Sequence, residues 1–138
     1  MPFVAGLLLM ALLPAICEEL MFRGYLYTAF LEKMQFLPAM ICVSLLFGIS
    51  HMSLIKLIPT ALLGCALFYA RERSQSMAAS SLIHFLNNGF SIFILYYGDR
   101  IPVFRDESMG KPMVILLIVL ALVCIPVGGL LFGRGKKK

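Results

Sequence analysis

Charge is scarce in this sequence. Only 14% of the 138 residues are Asp, Glu, Lys or Arg, where soluble domains carry about a quarter. Hydrophobic residues make up 61%, and the mean hydropathy is +0.94. That balance excludes a soluble globular domain, a disordered chain and a nucleic-acid module. Cysteine is sparse and unpaired. Cys17, Cys42, Cys65 and Cys124 each lie inside an apolar run, and none forms a C-x-x-C pair. This excludes a secreted disulfide scaffold and a cysteine zinc site, and leaves the thiols as small buried hydrophobes. The start also lacks the basic stretch of a cleaved signal peptide, because its apolar run flows directly into Glu18 and Glu19. Internal repeats are absent, and the only low-complexity tract is the terminal lysine run.

What is present is a series of long apolar segments. Five can be cut at the charged clusters: about Pro2 to Leu31, Phe36 to Ile55, Leu54 to Ala70, Met77 to Tyr97, and Met113 to Phe132. A helical span needs roughly 20 residues, with a range of about 17–25. Four segments fit directly, and the third fits if Lys56 and Arg71 snorkel at its ends. Lipid cannot satisfy backbone polar groups, and these runs do not alternate as barrel strands must. The expectation is therefore an all-α polytopic helix bundle of about five membrane helices, forming a single domain over residues 1–138. Pro14, Pro59 and Pro126 are expected to kink it.

The net charge of +5 sits mostly near the helix ends. By this topology Lys33, Arg71, Arg73, Arg134 and the tail Lys136, Lys137 and Lys138 fall on one side. Lys56, Arg100, Arg105 and Lys111 fall on the other. The positive-inside rule then makes the C-terminus cytoplasmic.

Against this apolar background, Glu18, Glu19, Arg23, His51, His84, Asn87 and Asn88 stand out. An ionisable residue at a span centre costs at least about 2.5–3.5 kcal/mol on insertion scales, and marks a functional site by default. Glu19 and Arg23 are i and i+4 on one helix face and can pair. Glu18 projects about 100° away and keeps no local partner. That leaves one proton-active carboxyl in a low-dielectric site, as a general base or acid requires. An ion-pair network that only holds the bundle is the plainer reading. Phe47 and His51 are again i and i+4, as are His84 and Asn88. The latter pair could hold a developing oxyanion, or could simply hydrogen-bond between helices. Asn87 faces elsewhere. If the first two spans turn near Met34 and Gln35, Glu18 and His51 lie equally far from the turn, roughly 25 Å along each helix. His84 and Asn88 lie roughly 15–20 Å in from the third loop, expected at Arg71 to Ser76, so all four groups can share one layer.

The ordered set Glu18-Glu19-x-x-x-Arg23, Phe47-x-x-x-His51 and His84-x-x-x-Asn88 resembles the CPBP family of intramembrane proteases. That family includes type II CAAX prenyl endopeptidases and the bacterial bacteriocin-processing or self-immunity proteins called Abi. The resemblance covers about residues 10–95, and beyond it residues 113–132 are expected to form an additional membrane helix and 133–138 a basic tail. Family members carry further membrane helices before the first motif, which leaves open that the chain is a piece of a longer protein. The resemblance implies an intramembrane endopeptidase that hydrolyses a peptide bond of a membrane-associated peptide or protein. Glu18 and His51 would activate water, and His84 and Asn88 would form the oxyanion hole. Glu19 with Arg23 would support the site, and Phe47 would pack beside it.

Metal use is a separate question. A catalytic zinc needs three protein ligands and an open position, for which Glu18, His51 and His84 are the candidates, with Glu19 beside them. The spacing is not H-E-x-x-H, and a metal-free site needs only Glu18 and His51 on one water. We prefer the metal-free arrangement, with a divalent metal such as zinc left open. Two other functional readings compete: a non-catalytic bacteriocin-immunity or transporter-associated scaffold, and a proton-coupled transport subunit. The expected surroundings are the lipid bilayer and a membrane-associated substrate, with no nucleic acid.

Overall fold

Four helices joined by short turns make up residues 1–101, the part of the chain that the computed structural model describes. That part is all-α. The fifth apolar segment, the basic tail and Cys124 lie outside the described residues, as do Pro126 and most of the charge asymmetry used for orientation. Helix α1 runs over Phe3–Leu31, 29 residues. Within it, Leu7–Leu12 and Leu20–Leu26 are wound as π-helix. The first of these ends just before Pro14, which has no N–H to give the preceding turn. The second carries Arg23, and π-turns of this kind gather at functional sites.

Helix α2 spans Phe36–Ser50 and corrects one expectation. It stops well short of Ile55 and is only 15 residues long. Met52 takes the left-handed conformation with φ 49°. Ser53 then caps the next helix, its Oγ accepting from Lys56 N at 3.4 Å. Cutting the sequence at the charge of Lys56 missed this boundary, because uncharged backbone geometry makes it. Helix α3, Leu54–Ser74, has 21 residues and is no short span. It continues through Arg71 to Ser74, where a loop was expected. Gln75 ends it in the left-handed region with φ 54°, and Ser76 caps α4 by accepting from Ala78 N at 3.2 Å. Helix α4 covers Met77–Tyr97, as the sequence indicates, and passes into a 3₁₀ turn at Gly98–Arg100.

Among the described residues three helices are long and apolar enough to cross a membrane: α1, α3, and α4 with its 3₁₀ extension. Their surface is inverted relative to a soluble bundle. Leu8, Leu45, Ile49, Leu86 and Leu95 point outward, while Glu19, Arg23, Ser44, Ser80 and His84 are buried.

The helices run antiparallel. At one end Phe3 packs edge-on against Tyr96 and Tyr97, with centroids 5.6 and 5.2 Å away. At the other end Tyr27 and Phe36 pack on Phe68 at 4.9 and 5.7 Å, and the Tyr27 hydroxyl donates to Glu72. Helices α2 and α3 approach very closely because two glycines leave room. A Cβ on Gly48 would stand 2.8 Å from Leu57 O, and one on Gly64 would stand 3.0 Å from Ser44 Cα. A core of Phe22, Tyr27, Val43, Phe47, Leu67 and Phe68 fills the space between α1, α2 and α3.

Candidate active site

The polar residues converge where α1, α2, α3 and α4 meet. Glu19 and Arg23 form the ion pair that their spacing suggests, Arg23 Nη1 donating to Glu19 Oε1 at 2.9 Å. Both side chains are out of solvent. A buried pair is tolerated only when further hydrogen bonds use its remaining valences. Here Arg23 Nη2 donates to the Gly64 carbonyl at 3.1 Å, and the guanidinium lies 4.4 Å from the centroid of Phe47. The close approach allowed by Gly64 thus presents a backbone acceptor to Arg23.

His84 completes the cluster from α4. Its Nδ1 lies 3.1 Å from Glu19 Oε1. A carboxylate paired with arginine can only accept, so Nδ1 carries the proton and donates. That fixes the ring orientation and turns Nε2 toward Glu18, whose Oε2 is 3.8 Å away. This exceeds a direct hydrogen bond. Glu18 Oε2 is buried without a hydrogen-bond partner among the described residues, as is Glu19 Oε2. The two adjacent carboxyls therefore differ sharply. Glu19 is sealed and neutralised by Arg23, whereas Glu18 is one-third exposed and, among the described residues, has no cation hydrogen-bonded to it.

Phe47 separates the two histidines. Its ring meets His51 edge-on at 5.0 Å and His84 edge-on at 5.6 Å. His51 stands at the C-cap of α2, half-buried, with Nδ1 2.9 Å from the Phe47 carbonyl. It therefore joins the cluster through Phe47. Asn88 lies one turn along α4 from His84, half-buried, and its Oδ1 accepts from Asn87 Nδ2 at 3.3 Å. Asn87 itself is exposed.

The structure thus places Glu18, Glu19, Arg23, Phe47 and His84 in one contact network, with His51 and Asn88 at its edge. Sequence reasoning paired Glu18 with His51; in the structure the histidine that faces Glu18 is His84. The reasoning also missed Gly64, whose contribution is a carbonyl and leaves no side-chain signal. Cys17, Cys42 and Cys65 are free thiols. Among the described residues no group of three or more His, Cys, Asp or Glu side chains is gathered to hold a metal ion. Glu18, His51 and His84 do not converge on one point, so they do not make a zinc site in this arrangement.

A family model for Rce1-like type II CAAX prenyl endopeptidases matches residues 1–90, a stretch that contains every residue of this cluster. No curated protein and no solved structure matches the chain.

Proposed function

We propose that the chain, which belongs to the Rce1-like family of type II CAAX prenyl endopeptidases, hydrolyses a peptide bond of a membrane-associated peptide or protein, with Glu18 as the group that activates water. Its membrane-length apolar helices and its membership of a protease family make it an integral membrane peptidase in outline. The observation that carries the finer reading is the asymmetry of the carboxyl pair. Arg23 neutralises Glu19, and among the described residues Glu18 Oε2 has no hydrogen-bond partner and lies 3.8 Å from His84 Nε2.

In this reading a water between Glu18 and the substrate gives its proton to the Glu18 carboxylate as its oxygen attacks the carbonyl carbon. His51 is the second group of this reading that acts on that water, approaching it from the edge of the cluster beside Phe47. The carbonyl oxygen becomes an oxyanion and is held by His84 Nε2–H and the Asn88 amide. With Nδ1–H donated to Glu19, donation from Nε2 requires the imidazolium. In that form Arg23 and His84 balance Glu18 and Glu19 in charge. The tetrahedral intermediate then collapses. The C–N bond breaks, and Glu18 returns its proton to the departing amine. Every step uses side chains of this chain and water.

The test is cleavage of a pooled set of hydrophobic and prenylated peptides by the protein in liposomes, comparing wild type with Glu18→Ala and His84→Ala, each with and without a chelator. Cleavage that both substitutions abolish supports the reading. The chelator arm decides whether a metal takes part. A folded wild type that cleaves nothing in the pool would instead favour the non-catalytic scaffold.

A further inference from the structure

Arg71 is held in place without being paired. It stands on α3 three residues before that helix ends at Ser74. A helix of 21 residues is ~31 Å long, about the thickness of a hydrocarbon core. Arg71 therefore lies ~5 Å inside one end of a membrane-length helix, where acyl chains give way to headgroups.

A long basic side chain at such a place ordinarily reaches outward to water. The Arg71 guanidinium instead lies 4.9 Å from the centroid of the Tyr27 ring on α1. Tyr27 is itself fixed, packed on Phe68 and donating its hydroxyl to Glu72. Glu72, the nearest carboxylate in sequence, is thus engaged by the tyrosine and forms no ion pair with Arg71. Among the described residues Arg71 makes no hydrogen bond, and its Nε and Nη1 are buried without an acceptor. The third nitrogen, Nη2, is equally unpartnered but stays open to the outside. Buried donors on a charged group are among the costlier ones to leave unmet. The other charges at this end differ, because Glu32, Lys33 and Arg73 are all exposed and hydrated.

Arginine offers planar N–H donors that match the oxygens of a phosphate. At headgroup depth the available anion is the phosphodiester of a lipid. Phosphatidylcholine brings its own cation to that phosphate, whereas phosphatidylglycerol does not. Three cations, Lys33, Arg71 and Arg73, stand here against two carboxylates, Glu32 and Glu72. Glu72 and the carbonyl end of α3 repel an anion, so diffuse charge alone gives little attraction. Contact with the guanidinium itself has to supply it.

From these observations we propose that Arg71 binds the phosphate of an anionic phospholipid, with Tyr27 holding the guanidinium from behind. The site lies ~10 Å along α3 from Gly64 and stands independently of the peptidase reading.

Native mass spectrometry of the full chain tests it. The protein, in micelles of a neutral detergent, is titrated with an equimolar mixture of phosphatidylglycerol and phosphatidylcholine that share the same acyl chains. The expected result is preferential retention of one phosphatidylglycerol. Arg71→Gln should weaken that binding by ~10-fold or more, the worth of a hydrogen bond to a charged partner. Arg73→Gln and Lys33→Gln remove the same charge from exposed positions and should weaken it by less than ~5-fold. Arg71→Lys keeps the charge, loses the planar fork, and should bind more weakly than wild type. Unfolding midpoints without lipid show which variants fold, and Arg71→Lys keeps the test open should Arg71→Gln not fold. Equal retention of the two lipids by wild type would overturn the proposal, residues 102–138 then being one candidate for the cover of Arg71. Equal losses from Arg71→Gln and Arg73→Gln would overturn it too, because the attraction would be diffuse. Inorganic phosphate alone is the third probe. Displacement of phosphatidylglycerol by it would make the ligand a free ion and overturn the lipid assignment.

Discussion

Glu19 and His84 are 65 residues apart in sequence and meet at 3.1 Å through Oε1 and Nδ1. The same Glu19 oxygen accepts from Arg23 at 2.9 Å. One buried carboxylate therefore fixes the ring of the α4 histidine and neutralises the α1 arginine. This shared oxygen couples the first and third motifs, and it makes the ion pair part of the site's geometry as well as of its stability.

The energetic consequence falls on Arg23. Replacing it by leucine leaves Glu19 as a buried carboxylate without its cation. Removing one member of a buried pair costs about 3–5 kcal/mol. The expected outcome for Arg23→Leu is a destabilisation of that order in denaturant or thermal unfolding of the protein in micelles. The double variant Glu19→Leu/Arg23→Leu should lose less than Arg23→Leu alone. If the single and double variants unfold alike, the pair is not the element that holds α1 in register.

Much of this was legible before the fold was seen. Apolar runs marked α1 and α4 to within a residue, because a long apolar stretch in lipid has no alternative to helix. The i, i+4 spacing of Glu19 and Arg23 gave their ion pair directly. What could not be read was set by backbone. The end of α2 depends on Met52 in a left-handed conformation, and the partner of Arg23 Nη2 is a carbonyl exposed by the missing side chain of Gly64. That His84 stands beside Glu18 was not read, for a related reason. Counting residues from a turn gives depth, but rotation about each helix axis decides whether His51 or His84 points at it.

Gly64 makes the second prediction. A methyl there would stand 3.0 Å from Ser44 Cα and Cβ and 3.3 Å from Phe47 Cδ1. Helix α3 would have to retreat from α2, carrying the carbonyl that Arg23 uses. Overpacking of this kind costs roughly 1–3 kcal/mol. Gly89 on α4 is the control, since its added Cβ would meet only Leu7 Cδ2 at an ordinary 3.6 Å. Gly89→Ala should be neutral or stabilising by about 0.5–1 kcal/mol through reduced chain entropy. Unfolding midpoints of the two variants side by side check this, and equal shifts would contradict it.

Tyr27 tests the membrane end of the bundle. Its hydroxyl donates to Glu72, and the Arg71 guanidinium lies 4.9 Å over its ring. Tyr27→Phe keeps the ring, its packing on Phe68 and the cation–π contact, and removes only the hydrogen bond. A hydrogen bond to a charged group is worth about 1.5–3 kcal/mol. A loss within that range in unfolding experiments, with peptide cleavage unchanged, is expected, because Tyr27 lies a full turn beyond Arg23. A stability effect near zero would mean that water replaces the hydroxyl at no cost.

The paired amides of α4 separate chemistry from packing. Asn87 and Asn88 hydrogen-bond to one another at 3.3 Å, so either alanine substitution removes the same contact. That contact lies within α4 and ties it to no other helix, so both variants should unfold close to wild type. Their catalytic effects should diverge. Asn88 shares the face of His84, one turn further along the helix, while Asn87 is exposed beside it. If Asn88 donates to the oxyanion, Asn88→Ala should lower the cleavage rate by about 10²–10³, with little change in KM. Asn87→Ala should leave both constants within a few-fold. Equal losses from the two substitutions would show that the mutual hydrogen bond, and not a donor aimed at the substrate, is what matters. The oxyanion role would then rest on His84 alone.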